Sequence, residues 1–350
     1  MNPLLTGLAR MSHSRRGIWT LSIVLVVTGL LSAAVTARIF APQRDAHFEA
    51  LIMELLSDAG PTLRPSLIIL ALTGGGIWAL IFLHFFPKGQ LRRHFWLIPA
   101  ALILGWLSTI PTVHSGRWMD TWSGLAEDPE DFLNSLFFHT FSVGLREEGL
   151  KLLFFLPLLF GLRRAETLLP ALIFGALTGI GFAMAENLLY YQMSFGGGVA
   201  VTRHTSATFL HATLTGVNAA AAFRVMRRPR RYTQDAVLLF AITVFLHGIY
   251  NALLTAPIPG LGDMSEFSIA ALAGCAFLFF QEIPPDPRRH TFSLTACFFW
   301  GYGLMILLEL ILTTVYTPFR EAVRGVGHSA LAALFIAFVF LHHIREPLGD

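Results

Sequence analysis

The sequence predicts an all-α fold, a polytopic bundle of about ten transmembrane helices with a cytoplasmic N-terminus. Hydrophobic residues make up 54% of the 350 residues, and charged residues make up only 13%. A soluble globular protein carries about 25% charged residues, so this composition excludes a water-covered surface. Apolar runs of about 20 residues recur along the chain, and each is long enough to cross a bilayer as a helix.

Hydropathy places the predicted spans at roughly 17–38, 66–86, 95–114, 133–162, 168–192, 199–223, 235–256, 266–283, 292–317 and 321–343. The fourth is too long for one straight span, so either it tilts or its first part lies at the interface. The first follows three arginines and ends near small residues, a pattern that also fits a cleaved signal sequence. Its length favours an uncleaved first helix.

The distribution of basic residues predicts the orientation. Sixteen of the 25 Lys and Arg residues lie in loops on the side of the N-terminus, and seven lie in loops on the other side. Because positively charged loops face the cytoplasm, the N-terminus is expected there.

The basic stretch 224–231 directly follows an apolar span, which favours a membrane anchor over a nucleic-acid site. Cys275 and Cys297 both lie in apolar runs, which argues against a disulfide framework.

Ionisable side chains at membrane depth are costly and usually mark function. Four consecutive predicted spans carry such groups at similar depth, roughly 18–27 Å from the inner face at 1.5 Å per residue. Polar groups that arose independently would scatter in depth, so these groups are expected to converge on one pocket. They are Arg146, Glu147, Glu148 and Lys151 in the fourth span, Glu186 and Asn187 in the fifth, His204 and His211 in the sixth, and His247 and Asn251 in the seventh.

Helical spacing assigns partners within this set. Lys151 is four residues from Glu147 and three from Glu148, so it can pair with either carboxylate. Adjacent glutamates point about 100° apart on a helix, which predicts different roles for Glu147 and Glu148. His247 and Asn251 are four residues apart and share one face.

Hydrolysis is the chemistry that this set allows. A buried glutamate suits a general base or acid, and histidines bind a metal or stabilise an oxyanion. Glu and His side chains from different helices can also form a metal site with an open water position. The HExxH motif of soluble zinc proteases is missing.

Each group also has a structural interpretation that stays open. The glutamates with Lys151 fit an ion pair between helices, Glu186 fits an interhelical hydrogen bond, and His211 fits a core histidine. Glu309 lies deep in the ninth predicted span, and the sequence gives it no partner. The glycines at 74–76, 175 and 179 fit close helix packing better than a phosphate loop.

Four segments carry a family resemblance: EEGLK at 147–151, GFAMAENLLYY at 181–191, HATLTG at 211–216 and HGIYN at 247–251. Together they resemble the PrsW family of intramembrane proteases, which is related to the CAAX prenyl endopeptidases with their EExxxR, FxxxH and HxxxN pattern. Here EExxK replaces EExxxR, and Glu186 stands where that pattern has histidine. Both departures favour PrsW over CAAX processing. The resemblance covers roughly 130–256.

The resemblance implies a protease that cuts membrane-anchored proteins, such as anti-sigma factors, in the bacterial cytoplasmic membrane. By position, Glu147 or Glu148 would activate water, and His211 and His247 would bind a metal, with Zn²⁺ as the candidate, or polarise that water. Glu186 would be a further ligand or acid, and Asn251 would steady the oxyanion. The same residues also allow a metal-free glutamate mechanism with Glu147 as base.

These expectations divide the chain into an N-terminal membrane region at 1–130, a catalytic core at 131–256 and a C-terminal membrane region at 257–350. Lys151 belongs to the predicted catalytic set as the partner of the glutamates.

The rival function is a transporter or proton relay that uses the same carboxylates and histidines. Transporters often show repeat symmetry, and none is visible here. A noncatalytic scaffold is the third possibility.

Overall fold

The computed structural model describes residues 65–86, 94–123, 125, 128, 130–163, 165–193, 197–258, 265–283, 294–315, 317–327 and 329–330. The elements in these ranges are helices, which confirms the predicted all-α class for the described part of the chain. The first predicted span at 17–38, with its signal-sequence alternative, lies outside the described residues, as does most of the last span at 321–343. The N-terminal orientation stays a prediction.

The helices follow the predicted spans closely, with two exceptions described below. They are α1 (Pro65–His84), α2 (Leu97–Ser123), α3 (Phe132–Phe137), a π-helix (Phe138–Gly144), α4 (Leu145–Gly161), α5 (Leu169–Met193), α6 (Val199–Thr205), α7 (Ala207–Arg227), α8 (Pro229–Thr255), a 3₁₀ turn (Ser265–Phe267), α9 (Ser268–Phe280) and α10 (Leu294–Thr314).

The long fourth span, predicted at 133–162, is three consecutive helical segments. Asp131 caps α3 at its N-terminus, since its side chain accepts hydrogen bonds from the backbone N–H groups of Leu133 and Asn134. The π-helix then connects α3 to α4 without a break in the helical backbone. Segments of π-helix are rare and occur frequently at functional sites, and this one directly precedes Glu147 and Glu148.

The sixth span, predicted as one helix at 199–223, is divided at Ser206 into α6 and α7. Ser206 is a turn residue whose carbonyl oxygen accepts the N–H of Leu210 and so begins α7. Its hydroxyl accepts a hydrogen bond from the Tyr250 hydroxyl at 2.7 Å, which fixes the start of α7 against α8.

Five helices in the described ranges are long and apolar enough to cross a membrane: Pro65–His84, Leu97–Gly116, Leu169–Met193, Pro229–Thr255 and Cys297–Thr314. They support an integral membrane protein. The segment α4 is only 17 residues long and carries two acidic residues in its first turn, and α9 is a shorter apolar helix. The total of about ten spans therefore stays a prediction, as does the division at residues 130 and 256.

The chain forms two compact units. The larger unit contains the described residues within 78–186 and 206–289, and the smaller unit contains those within 1–77, 187–205 and 290–350. In the larger unit, α8 packs against α7, the π-helix and α9, while α2 packs against α4. This arrangement surrounds α7, and every side chain from Ala207 to Ala221 is buried.

Small residues bring the helices of the larger unit into backbone contact. Gly179 on α5 faces His211 on α7, and a Cβ atom at this glycine would overlap the His211 carbonyl oxygen. Gly248 on α8 faces Thr140 of the π-helix in the same way. These contacts confirm the prediction of close packing at Gly179 and place α5 and the π-helix directly against the helices that carry the two buried histidines.

In the smaller unit, Glu309 on α10 has the partner that the sequence did not reveal. Its buried carboxylate accepts the backbone N–H groups of Ala200 and Val201 at 3.0 and 2.7 Å, so it caps the N-terminus of α6. Gly197 and Gly198, with φ of 67° and 92°, form the preceding turn. Arg203 at the other end of α6 donates to Asn187 at 2.7 Å.

We expect Gly179→Ala to lower the free energy of unfolding by about 1–3 kcal/mol, because the added methyl group forces two helix backbones apart. The matched control is Gly76→Ala on α1, where a Cβ atom meets nothing within 4 Å. Alanine there should stabilise the helix by about 0.5–1 kcal/mol. Thermal unfolding of both variants in detergent measures the difference, and equal effects would contradict the packing of Gly179 against His211.

Candidate functional site

Ionisable side chains from four helices of the larger unit meet in its interior. The structure brings together six of the seven site residues predicted from the sequence: Glu147, Glu148 and Lys151 on α4, Glu186 on α5, His211 on α7 and His247 on α8. Five of them are buried, while the side chain of Glu186 is 18% exposed. The roles assigned to these residues stay predictions.

Glu148 is the centre of the cluster. Its Oε1 accepts hydrogen bonds from Lys151 Nζ at 2.6 Å and from His247 Nδ1 at 2.9 Å. Its Oε2 lies 3.4 Å from the amide nitrogen of Asn218. All of these groups are buried, so the carboxylate exchanges its water shell for three donors on α4, α7 and α8.

These contacts fix the proton on His247. An ionised carboxylate only accepts hydrogen bonds, so the proton of the neutral imidazole lies on Nδ1 and points at Glu148. The other nitrogen, Nε2, therefore carries the lone pair, and it lies 3.6 Å from Glu147 Oε2. A carboxylate that holds the far nitrogen of a histidine in this way is the usual support of a metal-binding imidazole.

His211 has partners at both nitrogens. Lys151 Nζ lies 2.8 Å from Nδ1, and Glu186 Oε2 lies 2.8 Å from Nε2. An ammonium group only donates, so Nδ1 accepts from Lys151 and the Nε2–H group donates to Glu186. The His211 ring also lies 5.0 Å from the ring of Phe182, and Lys151 Nζ lies 4.4 Å from that ring. Lys151 therefore links Glu148 to His211.

Glu147 differs from Glu148 although the two are adjacent in sequence. Its Oε2 is buried and makes no hydrogen bond to the described residues. The nearest charged or basic atoms are His247 Nε2 at 3.6 Å and Lys151 Nζ at 3.8 Å. A buried carboxylate oxygen without a hydrogen-bond donor is costly, which indicates a position shaped for a reactant or a ligand.

The chemistry of the donors fits a metal ion. One ligand atom each from Glu147, His211 and His247 lie within 4.8 Å of one another, and all three residues are buried. Two imidazoles and a carboxylate are the protein ligands of one class of catalytic zinc site, which leaves a position for water. The Glu148 carboxylate behind His247 supports the fit. Glu186, whose Oε2 lies 2.8 Å from His211 Nε2, is a second carboxylate at the same site, so the Glu147 oxygen that lacks a donor is compatible with a ligand or with a base.

Asn251 is the seventh predicted site residue, and it lies one turn beyond His247 on α8. The residue is half-buried, and within the described part of the chain its side chain makes no hydrogen bond. The backbone carbonyl oxygen of Asn251 accepts a hydrogen bond from the Thr255 hydroxyl at 3.1 Å. The assignment of the Asn251 amide to the oxyanion stays a prediction.

Asn218 and Thr243 are site residues that the sequence reasoning missed. The Thr243 hydroxyl lies 3.0 Å from Asn218 Oδ1, which orients the amide so that its nitrogen faces Glu148. The spacing of these residues in the sequence could have indicated that both lie near the site. Asn218 follows His211 by seven residues and Thr243 precedes His247 by four, so each shares a face with a predicted site histidine.

Comparison with known proteins gives one family match. A family model described as PrsW family intramembrane metalloprotease matches residues 93–280, which is more than half of the chain. The match contains every residue of the cluster and extends beyond the four motifs at both ends. No curated protein and no solved structure matches the chain, and the relation to CAAX endopeptidases stays a prediction.

We expect Lys151→Met to lower the free energy of unfolding by about 3–5 kcal/mol, because it leaves the buried Glu148 charge without its ammonium partner. The double variant Glu148→Gln/Lys151→Met removes both charges and should recover most of that loss. Arg163→Met, at an exposed site, serves as a control and should change stability by no more than about 0.5 kcal/mol. Chemical unfolding in detergent tests this order, and a double variant as unstable as the single one would refute it.

Proposed function

The chain belongs to the PrsW family of intramembrane metalloproteases, and we propose that it cleaves membrane-anchored protein substrates at the cluster around Glu147, His211 and His247. The observation that carries the proposal is the placement of these three side chains, from three helices, with ligand atoms within 4.8 Å in a buried site. Membership of the family supports a peptidase embedded in the membrane, and the comparisons give no support to a transporter.

His211 and His247 would hold the metal ion, with Zn²⁺ as the candidate, and Glu186 at 2.8 Å from His211 Nε2 would complete the set. A bound metal ion supplies an activated water and polarises the substrate carbonyl. Binding at Nε2 of His211 requires loss of the proton that now faces Glu186, so metal binding would release a proton.

Glu147 would act as the general base. Glu147 Oε2, which lacks a hydrogen-bond donor, lies 3.6 Å from His247 Nε2. A water molecule bound near these two atoms would be within hydrogen-bond distance of the Glu147 carboxylate. The carboxylate takes a proton from that water as the oxygen attacks the peptide carbonyl. It then returns the proton to the amine that leaves when the C–N bond breaks. Lys151 at 3.8 Å stabilises the negative charge on Glu147 before the transfer.

Glu148 would position His247 rather than touch the substrate. Both of its oxygens accept hydrogen bonds from buried donors, whereas Glu147 Oε2 accepts none from the described residues. This contrast supports Glu147 as the residue that activates water, where the sequence alone left either glutamate possible. The Asn251 amide, one turn from His247, would donate to the oxyanion.

The substrate class follows from the depth of the site. Two of the four helices that carry the cluster, α5 and α8, are long and apolar enough to cross a membrane, which supports a substrate that brings a peptide bond to membrane depth. A protein with a transmembrane anchor meets this requirement, and anti-sigma factors of the bacterial cytoplasmic membrane are the expected examples. A metal-free mechanism, with Glu147 as base and the histidines as electrophiles, uses the same residues.

We expect Glu147→Gln and His247→Ala each to abolish cleavage, with a fall of at least about 100-fold because general base catalysis contributes that much or more. The matched control is Glu166→Gln at an exposed site, which should cleave normally. Proteomic analysis of membrane-protein fragments in cells that express each variant measures cleavage. Persistent fragments with both folded site variants would remove the protease assignment.

Metal analysis separates the two hydrolytic mechanisms. Purified protein should contain one zinc ion per chain, and His211→Ala and His247→Ala should lose it. Glu147→Gln should retain the metal because a base, unlike a ligand, leaves the binding set intact when it is replaced. His114→Ala, an exposed control, should also retain it. Full cleavage by metal-free protein after chelation would establish the glutamate mechanism instead.

A further inference from the structure

A cavity of about 730 Å³ lies in the larger unit, away from the acidic and histidine cluster. It is formed where α5 and α8 begin and where α7 and α9 end. Since α5 and α8 are both candidate membrane spans, their starts mark one face of the membrane. The cavity therefore opens where lipid headgroups would lie.

Three arginines at the end of α7 line this cavity: Arg224, Arg227 and Arg228. Arg224 forms a bidentate ion pair with Glu282, at 2.9 and 2.5 Å, and Arg227 donates to the carbonyl oxygen of Ala165. The Arg228 side chain is exposed and makes no hydrogen bond or ion pair with the described residues. Two arginines thus form the wall, and the third is available to a ligand.

The charge around the cavity favours an anion. The larger cavity is lined by three arginines, Arg224, Arg227 and Arg228, and by two carboxylates, Glu166 and Glu282. Asp235 lines the smaller cavity described below. The pair between Arg224 and Glu282 neutralises itself, which leaves Arg227 and Arg228 with Glu166 and a net charge of one positive in the larger cavity. Arginine binds phosphate oxygens in a planar, bidentate manner, so a phosphodiester group matches this wall.

A second, smaller cavity gives the ligand its apolar part. It has a volume of about 280 Å³ and shares Arg224 and Tyr232 with the first cavity. Its other lining residues are Ala221 on α7 and Asp235, Ala236 and Leu239 on α8, so it extends along the first turns of α8 and combines apolar side chains with the Asp235 carboxylate. Val237 and Leu238 of the same helix are exposed apolar side chains, as expected of a helix that enters the hydrocarbon.

We propose that the two cavities bind one anionic phospholipid, with its phosphodiester at Arg228 and Arg227 and the start of an acyl chain against Ala236 and Leu239. The two cavities share Arg224 and Tyr232, so an amphiphile that occupies both matches them better than a free phosphate ion, which would leave the smaller cavity without a ligand. Basic pockets between membrane helices bind anionic headgroups in this way. The site lies apart from the proposed catalytic residues and does not depend on their function.

The test uses the full chain in detergent and native mass spectrometry to count retained lipid. Wild-type protein should retain phosphatidylglycerol in preference to phosphatidylcholine, and Arg228→Gln should weaken that retention about fivefold, the effect of one arginine near a membrane surface. The matched control is Arg324→Gln, an exposed arginine on another helix, which removes the same charge and should have no effect.

A second variant tests the apolar cavity without a change in charge. Ala236→Phe fills the space for the acyl chain and should weaken phosphatidylglycerol retention about tenfold, the effect of two displaced methylene groups. Glycerol 3-phosphate, the soluble headgroup, should not displace the lipid at equal concentration. Equal retention of both lipids, equal effects of Arg228→Gln and Arg324→Gln, no effect of Ala236→Phe, or displacement by glycerol 3-phosphate would each overturn the proposal.

Discussion

Glu148 lies where a carboxylate without partners would cost several kcal/mol, and donors from α4, α7 and α8 surround it. Lys151 is equally buried and is shared between Glu148 and His211. These contacts are possible only when three helices keep one relative position. The ion pair therefore fixes the arrangement of the site more than it contributes net stability, because the cost of removing two charges from water offsets much of their attraction.

The adjacent glutamates show how this arrangement creates a reactive group. Glu148 uses its two oxygens to hold its neighbours, whereas Glu147 keeps one buried oxygen without a donor. Consecutive residues of a helix point about 100° apart, which is sufficient to give the two glutamates different surroundings. A single turn of α4 therefore supplies both the rigid support of His247 and the carboxylate that faces it. Close backbone contacts at Gly179 and Gly248 hold α5 and the π-helix against the same centre.

The sequence predicted the helical class and six residues that meet in the structure, because hydropathy and helical spacing are local properties. It predicted Lys151 as the partner of either glutamate, but not that His247 and Asn218 donate to Glu148, since these contacts depend on how α7 and α8 are rotated against α4. Asn218 and Thr243 were missed because a single amide or hydroxyl in an apolar helix carries little signal. The break at Ser206 and the π-helix were also missed, since their residues differ little from those of a continuous helix.

The cap that Glu309 provides for α6 sets an order of events during synthesis. The helix α6 has seven residues, too few to persist alone, and its carboxylate partner follows 108 and 109 residues later in the chain. At about 5–20 residues per second, the ribosome needs roughly 5–20 seconds to produce that distance of chain. Throughout this interval the N–H groups of Ala200 and Val201 lack their permanent acceptor. The smaller unit thus reaches its final form only after α10 has been inserted, and a truncation before residue 309 would leave α6 without its cap.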